Sequence, residues 1–317
     1  MSSKSAAPAV AAKRVPAIRW RLGFPVLAVL LAVFVAGRVL SLLTRAPGSF
    51  TASGLHFLCR GPEGPAAVLF HHAEHGSALQ FVAAMDEIAS AAGLRSCAFD
   101  RPGFGFSSPD ASEDDVNEFA SDAGVQVGHS IGALYALKQQ SRPKKGAQRF
   151  VLLDALVGGG AFSEQDWAEF RNYINRPVDN DHVFVATGFA RVLRVLRFWQ
   201  PWHGTQLAEW DLQVMPSHMA KIRSMYLGEM FEILRNNSRL PPLAKKSRVE
   251  LIFASDASPG SAVAVEGEKM RKVLRPRVRA EFVSRYEEDQ VHVTTLDHCS
   301  HNGLVADDRV IAKIIKH

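Results

Sequence analysis

Cysteine is scarce in this chain: Cys59, Cys97 and Cys299 are all that its 317 residues contain. Three scattered thiols exclude a disulfide framework or a zinc ribbon and leave the redox compartment open. Acidic residues are absent from the N-terminal leader. There Lys4, Lys13, Arg14, Arg19 and Arg21 supply part of the formal net charge of +5 and of the isoelectric point near 9.2. Elsewhere the charges are mixed in sign, which excludes a nucleic-acid-binding face. Internal repeats are lacking, as are low-complexity tracts beyond the first 15 residues. What is present is apolar. With 47% hydrophobic and 22% charged residues, the chain can build one large domain, or one domain with an inserted subdomain, around a substantial core.

Residues 22–44, LGFPVLAVLLAVFVAGRVLSLLT, carry one charge, Arg38, close enough to the end to snorkel toward a headgroup. A run of this length suffices for a membrane-spanning helix. A cleaved signal peptide shares the basic start and the apolar centre, but it is usually shorter, and no small-x-small site follows here. The expectation is a flexible basic leader over 1–21 and a retained transmembrane signal anchor over 22–44. The upstream basic residues keep the N-terminus cytoplasmic and send the bulk of the chain to the lumenal or extracellular side. Asn236-Asn237-Ser238 is a glycosylation sequon compatible with that side.

Beyond the anchor, short β-like runs alternate with helical ones. GLHFLCRG and PAAVLF read as strands, 78–92 as a helix with Phe81, Met85 and Ile88 on one side, and LRSCAFD as a strand. VQVGHS leads into the helix IGALYALKQQ; RFVLLDA and RVELIFAS are later strands, followed by either RAEFVSRY or VHVTTLD, and DDRVIAKIIKH closes as a helix. Such alternation predicts an α/β fold, a mainly parallel sheet flanked by helices on both faces. Between 162 and 240 the alternation stops, and helical segments begin near Ser163, Val183, Gln206 and Ser217. They predict a helical cap over 161–245 that divides the core into 50–160 and 246–317. In the second segment Arg191, Arg194 and Arg197 recur every three residues. They mark either the solvated face of a cap helix or an interfacial helix on lipid headgroups.

VLFHHAEHGS offers two chemistries. His71-x-x-Glu74-His75 matches an inverted zinc-protease signature. That reading needs a helix, so that His71 and His75 face the same way one turn apart. Here β-forming residues precede the motif and Gly76 and Ser77 close it, and no downstream glutamate with clear helical context can serve as third ligand. No metal is expected. The stronger signal is Gly128-His129-Ser130-Ile131-Gly132, a G-x-S-x-G pentapeptide between a strand and a helix. A serine on so tight a turn projects its hydroxyl into a site, and the helix N-terminus favours developing negative charge. His129, inside the turn, reads as a packing residue.

With GHSIG, the turn Asp100-Arg101-Pro102-Gly103-Phe104-Gly105-Phe106-Ser107 and the strand VLLDA in this order, the chain resembles the α/β-hydrolase superfamily, specifically its capped serine hydrolases. The resemblance covers residue 54 to the C-terminus. It implies a Ser–acid–His order: Ser130 as nucleophile, Asp256 at the end of RVELIFASD as acid, and His301 as base. Asp154 is the alternative acid and His298 the alternative base. The resemblance further makes HHAEHGS the oxyanion loop, with backbone N–H groups of Ile131, Ala73 and Glu74 forming the hole. Two departures stand out. Ala73, Glu74 and His75 fill the middle of the loop where the family commonly has glycines, and the segment between the turn and the nucleophile strand, 110–124, is short for the family's helix. The expected function is a membrane-anchored serine hydrolase that cleaves a carboxylic ester or lipid-like acyl compound without cofactor. Epoxide hydrolase and dehalogenase chemistries are disfavoured, because those relatives use aspartate where this chain has Ser130. The rival of another class is a membrane-tethered scaffold that kept the fold and lost the reaction.

Overall fold

The computed structural model describes residues 20–43, 46–73, 76–108, 110–112, 114–116, 123–139, 148–157, 162–174, 234–235, 240–256 and 262–316. The elements in chain order are α1 (Trp20–Leu43), β1 (Ser49–Phe50), β2 (His56–Arg60), β3 (Val68–His71), α2 (Val82–Ala92), β4 (Ser96–Phe99), β5 (Val125–His129) and α3 (Gly132–Gln139). They continue with β6 (Arg149–Leu153), α4 (Glu164–Ile174), β7 (Arg248–Asp256), α5 (Ala262–Arg285), β8 (Val291–Ser300) and α6 (Asp308–Ile315). The strands form one sheet in the order β1-β2-β4-β3-β5-β6-β7-β8. β1 pairs with β2 and β2 with β4 in antiparallel fashion, and the pairs from β4 through β8 are parallel.

Alternation along the strands sends side chains to opposite faces. On one face Phe150, Leu152, Val249, Leu251 and Phe253 pack with Leu134 and Leu137 of α3 and Leu274, Val278 and Phe282 of α5. On the other, Val125, Val127, Val151, Leu153 and Ile252 pack with Met85 and Ile88 of α2 and Val310, Ile311 and Ile314 of α6. Burial on both faces explains why these strands read as near-continuous apolar runs. α2 ends at Gly93, whose left-handed φ of 63° turns the chain toward β4.

The other expectations meet mixed outcomes. Of the two alternatives for the last strand, VHVTTLD forms β8, while RAEFVSR, residues 279–285, lies in the long helix α5. Three cysteines are too few for a disulfide framework, but Cys59 and Cys97 are register partners on β2 and β4 and form a single disulfide. The apolar run over 22–44 is helical as α1, yet among the described residues no helix is long and apolar enough to cross a membrane. In the segment 110–124, residues 114–116 are helical and 117–122 lie outside the described residues. α4 begins beside the expected cap start at Ser163. Arg191, Arg194, Arg197, Asn236 and the other expected cap starts lie outside the described residues.

Candidate active site

In the sheet, β3 lies between β4 and β5, so the connections leaving β3 and β5 part at their carboxyl ends. That is where open α/β sheets bind ligands. Both catalytic-looking motifs fall there: HHAEHGS leaves β3 and GHSIG leaves β5. Ser130 has a left-handed φ of 55°. Non-glycine residues adopt this region at a cost, and it recurs at functional turns. The turn is pinned by the Ser130 amide donating to Leu153 O at 2.8 Å and the Leu156 amide donating to Ser130 O at 3.0 Å. The flanking glycines follow from close approach. A methyl group at Gly132 would run into the carbonyl of His71, and one at Gly128 would meet the Ala133 backbone at 2.5 Å.

His301 follows β8 and is buried beside this turn. Its Nδ1 donates to Asp154 Oδ2 at 2.8 Å, which leaves Nε2 as the proton acceptor. Its ring centroid lies 4.5 Å from that of His129, the residue preceding Ser130. His129 Nε2 donates to the His301 carbonyl at 3.0 Å, and its Nδ1 accepts from Gln80 Nε2 at 3.2 Å. His129 is thus a fixed packing residue that holds the loop of His301.

Among the described side chains, the acid that the structure brings to His301 is Asp154, the alternative. Asp154 follows β6 directly and carries a left-handed φ of 46°. Asp256 closes β7 opposite Ser300, and its side chain lies outside the described residues. His298 sits on β8, exposed, with a φ of 58°, and its amide donates to Ser255 Oγ at 3.1 Å. Of the expected oxyanion donors, Ile131 follows Ser130 and is buried, Ala73 is half-buried, and Glu74 lies outside the described residues, as does His75. His71 of the zinc reading lies on a strand, and its Nε2 donates to Gln126 Oε1 at 2.7 Å.

Two arginines to which the sequence assigns no role shape this site. Arg101 lies buried between the rings of Phe104 and Tyr135, 4.6 and 4.7 Å from their centroids. Its guanidinium donates to the carbonyls of His72 at 2.5 Å and Ala73 at 3.1 Å. The Ala73 carbonyl also accepts from His72 Nδ1 at 2.6 Å and from the Gly76 amide at 3.1 Å. A loop without central glycines is therefore held by its carbonyls, from behind. Arg275 of α5 reaches Asp154 with two bonds, Nε to Oδ1 at 2.6 Å and Nη2 to Oδ2 at 2.7 Å. Its Nη1 donates to Glu268 Oε1 at 2.6 Å.

The charges of the group follow from these contacts. Burial pushes the Asp154 carboxyl upward, but the hydrogen bonds from His301 and Arg275 outweigh it and hold the acid well below its ordinary range. Burial holds the His301 imidazole below its ordinary value; the bond to Asp154 opposes this, and Arg271 and Arg275 add to it. His301 is therefore a neutral base near neutral pH. The arrangement can take a proton from a hydroxyl and stabilise the imidazolium that forms.

The profile of the Alpha/beta hydrolase family matches residues 68–313. No curated protein matches the sequence. Similar solved structures include a potato epoxide hydrolase, at 15% identity over 86% of this chain and 98% of that chain, with a TM-score of 0.50. A thermophilic esterase from Thermogutta terrifontis is similar at 15% identity over 82% of this chain and 91% of that chain, with a TM-score of 0.48. At such identities the likeness is one of fold.

Proposed function

Because this chain belongs to the Alpha/beta hydrolase family, we propose that it is a serine hydrolase that cleaves a carboxylic ester or lipid-like acyl compound from a membrane-anchored position. The observation that carries the reading is the buried His301–Asp154 pair beside a strained Ser130 elbow. His301 Nε2 takes the proton of Ser130 Oγ as that oxygen attacks the acyl carbonyl. The oxyanion is met by the N–H groups of Ile131 and of the loop after β3. His301 passes the proton to the leaving alcohol, the carbon–oxygen bond breaks, and an acyl-enzyme remains. Water, deprotonated by His301, then releases the carboxylic acid and restores Ser130. Asp154, in place of Asp256, keeps the imidazole oriented and balances its transient charge.

The anchor reading rests on sequence with a supporting feature of α1. Leu27, Val29, Leu30, Leu31, Phe34, Val35 and Val39 are exposed around its whole circumference. A helix apolar all round suits lipid or a protein core better than water. The Cys59–Cys97 disulfide supports a lumenal or extracellular hydrolase domain, since such bonds persist in oxidising compartments. An apolar substrate suits an enzyme held at a bilayer.

The test is labelling of the membrane-bound protein with a fluorophosphonate probe, beside Ser130→Ala and a chelator-treated sample. Labelling that requires Ser130 and survives the chelator is the expected result. If folded wild-type protein takes no label, the scaffold reading replaces this one, favoured by the loop after β3 that lacks glycine at its centre.

A further inference from the structure

The group around His301 has a balance of charge that points to a role for Arg275. Three side chains with fixed charge act on the imidazole, Asp154 after β6 and Arg271 and Arg275 on α5, and Glu268 of α5 is bonded to both arginines. Among the described residues, His129 of β5 and Cys299 of β8 are further titratable neighbours. The Asp154 and Glu268 side chains are 1% and 3% exposed. Arg271 Nε donates to Glu268 Oε2 at 3.1 Å, and Arg275 bridges Glu268 to Asp154. Two carboxylates and two guanidiniums sum to zero while His301 is neutral. A proton on His301 at rest leaves a surplus positive charge in a buried site, which is costly.

We propose that Arg275, held by Glu268, is a positioning residue that keeps the resting His301 neutral by sharing the carboxylate of Asp154. An Asp–His pair alone, buried from solvent, would gain by trapping a proton as an ion pair, and His301 would then start the reaction already protonated. Arg275 removes that gain by occupying Asp154 with two bonds, while His301 Nδ1 keeps its own bond to Oδ2. The geometry places this control on α5, in the connection between β7 and β8, on one helix face with Glu268, Arg271 and Arg275 spaced by three and four residues. The inference rests on the reading of His301 as general base, but its physical content can be measured without turnover.

The experiment is a histidine NMR titration of the full chain in detergent, with the His301 signal identified by its loss in His301→Asn. In parallel, the rate of fluorophosphonate labelling is followed against pH. Arg275→Met leaves the group one positive charge short, so the His301 titration should rise by about one pH unit or more. Glu268→Gln leaves it one positive charge in excess, so the titration should fall. Arg275→Lys, which keeps the charge but not the two-bond fork, should lie between wild type and Arg275→Met. Opposite signs are the signature, because loosened packing would move both variants the same way. If Arg275→Met does not fold, the fall in Glu268→Gln and a rise in Arg275→Lys relative to wild type carry the test. Unchanged titrations, or shifts of one sign, overturn the proposal. Shifts of the expected signs in a protein that the probe never labels leave the proposal standing and remove the hydrolase reading instead.

Discussion

His71, His72 and His129 crowd the same end of the sheet as His301, and all four imidazoles are buried. The first three are fixed by neutral partners and so resist protonation. His71 shows the reason most plainly. Its Nε2 donates to Gln126, while its buried Nδ1 has no hydrogen-bond partner among the described residues. A second ring proton would have no acceptor there. Burial accordingly holds His71 down at about 4, against a partial offset from Gln126, and holds His72 and His129 well below their ordinary value. The sign of the linkage follows. Above pH 6.5 neither the folded nor the unfolded state protonates these rings, and their full contribution is present. As pH falls from 6.5 toward 4, the unfolded chain binds protons that the folded one refuses, and stability is lost. For His71 alone the loss is on the order of 3 kcal/mol at pH 4. Thermal melts of wild type from pH 7 to pH 4 should show a falling Tm, and His71→Gln should make the fall shallower. A wild-type Tm that stays level across that window would sink the idea.

At the scale of elements, the sequence is most legible where one period rules. The strands β5, β6 and β7 are buried on both faces and read as apolar runs, and the elbow between β5 and α3 stands out because glycine alone tolerates the approach to His71. Legibility fails at α5. Its 24 residues hold a central Pro276 and a mixed pattern, and the stretch RAEFVSRY, whose residues 279–285 lie in the helix, has enough β-formers to pass for a strand. Tertiary packing decides the matter, since Leu274, Val278 and Phe282 recur at helical spacing and are buried against Phe150, Leu152 and Val249. The acid is hidden for a related reason. Asp154 and Asp256 each close a strand, and nothing local distinguishes them; the bridge from Arg275 to Asp154 spans 121 residues. Helix α5 thus does two jobs, covering one face of the sheet and carrying Glu268 and Arg275 to the site. Phe282→Ala should cost ~3–5 kcal/mol of stability through the cavity it leaves. Because Phe282 lies two turns from Arg275 on a buried stripe, it should also loosen the Arg275–Asp154 fork. Chemical denaturation gives the first quantity. The His301 titration, which should drift toward that of Arg275→Met, gives the second. An unperturbed titration in a destabilised protein would separate the two jobs of the helix.

For the whole molecule, the apolar helix α1, the basic leader and the Cys59–Cys97 bond make a joint statement about sidedness. The leader holds five positive charges on one side of the apolar run, and such charges resist translocation. The disulfide joins β2 to β4, in the domain that follows the run, and it persists where glutathione does not reduce it. Neither feature alone fixes the side on which the domain lies. Together they favour a leader and a hydrolase domain on opposite faces of one membrane. In sealed vesicles with the cytoplasmic face outward, added protease should remove a tag at residue 1 and spare a tag at the C-terminus. Alkaline carbonate should leave the protein in the membrane pellet. After alkylation without reductant, Cys59 and Cys97 should resist labelling until a reducing agent is added, and Cys299 alone should be free. If both tags are digested while the bond is intact, the disulfide forms by some route other than compartment, and the case for a lumenal domain falls. If the protein is released by carbonate, α1 is not a span, and the exposed side chains from Leu27 to Val39 must find cover against protein instead.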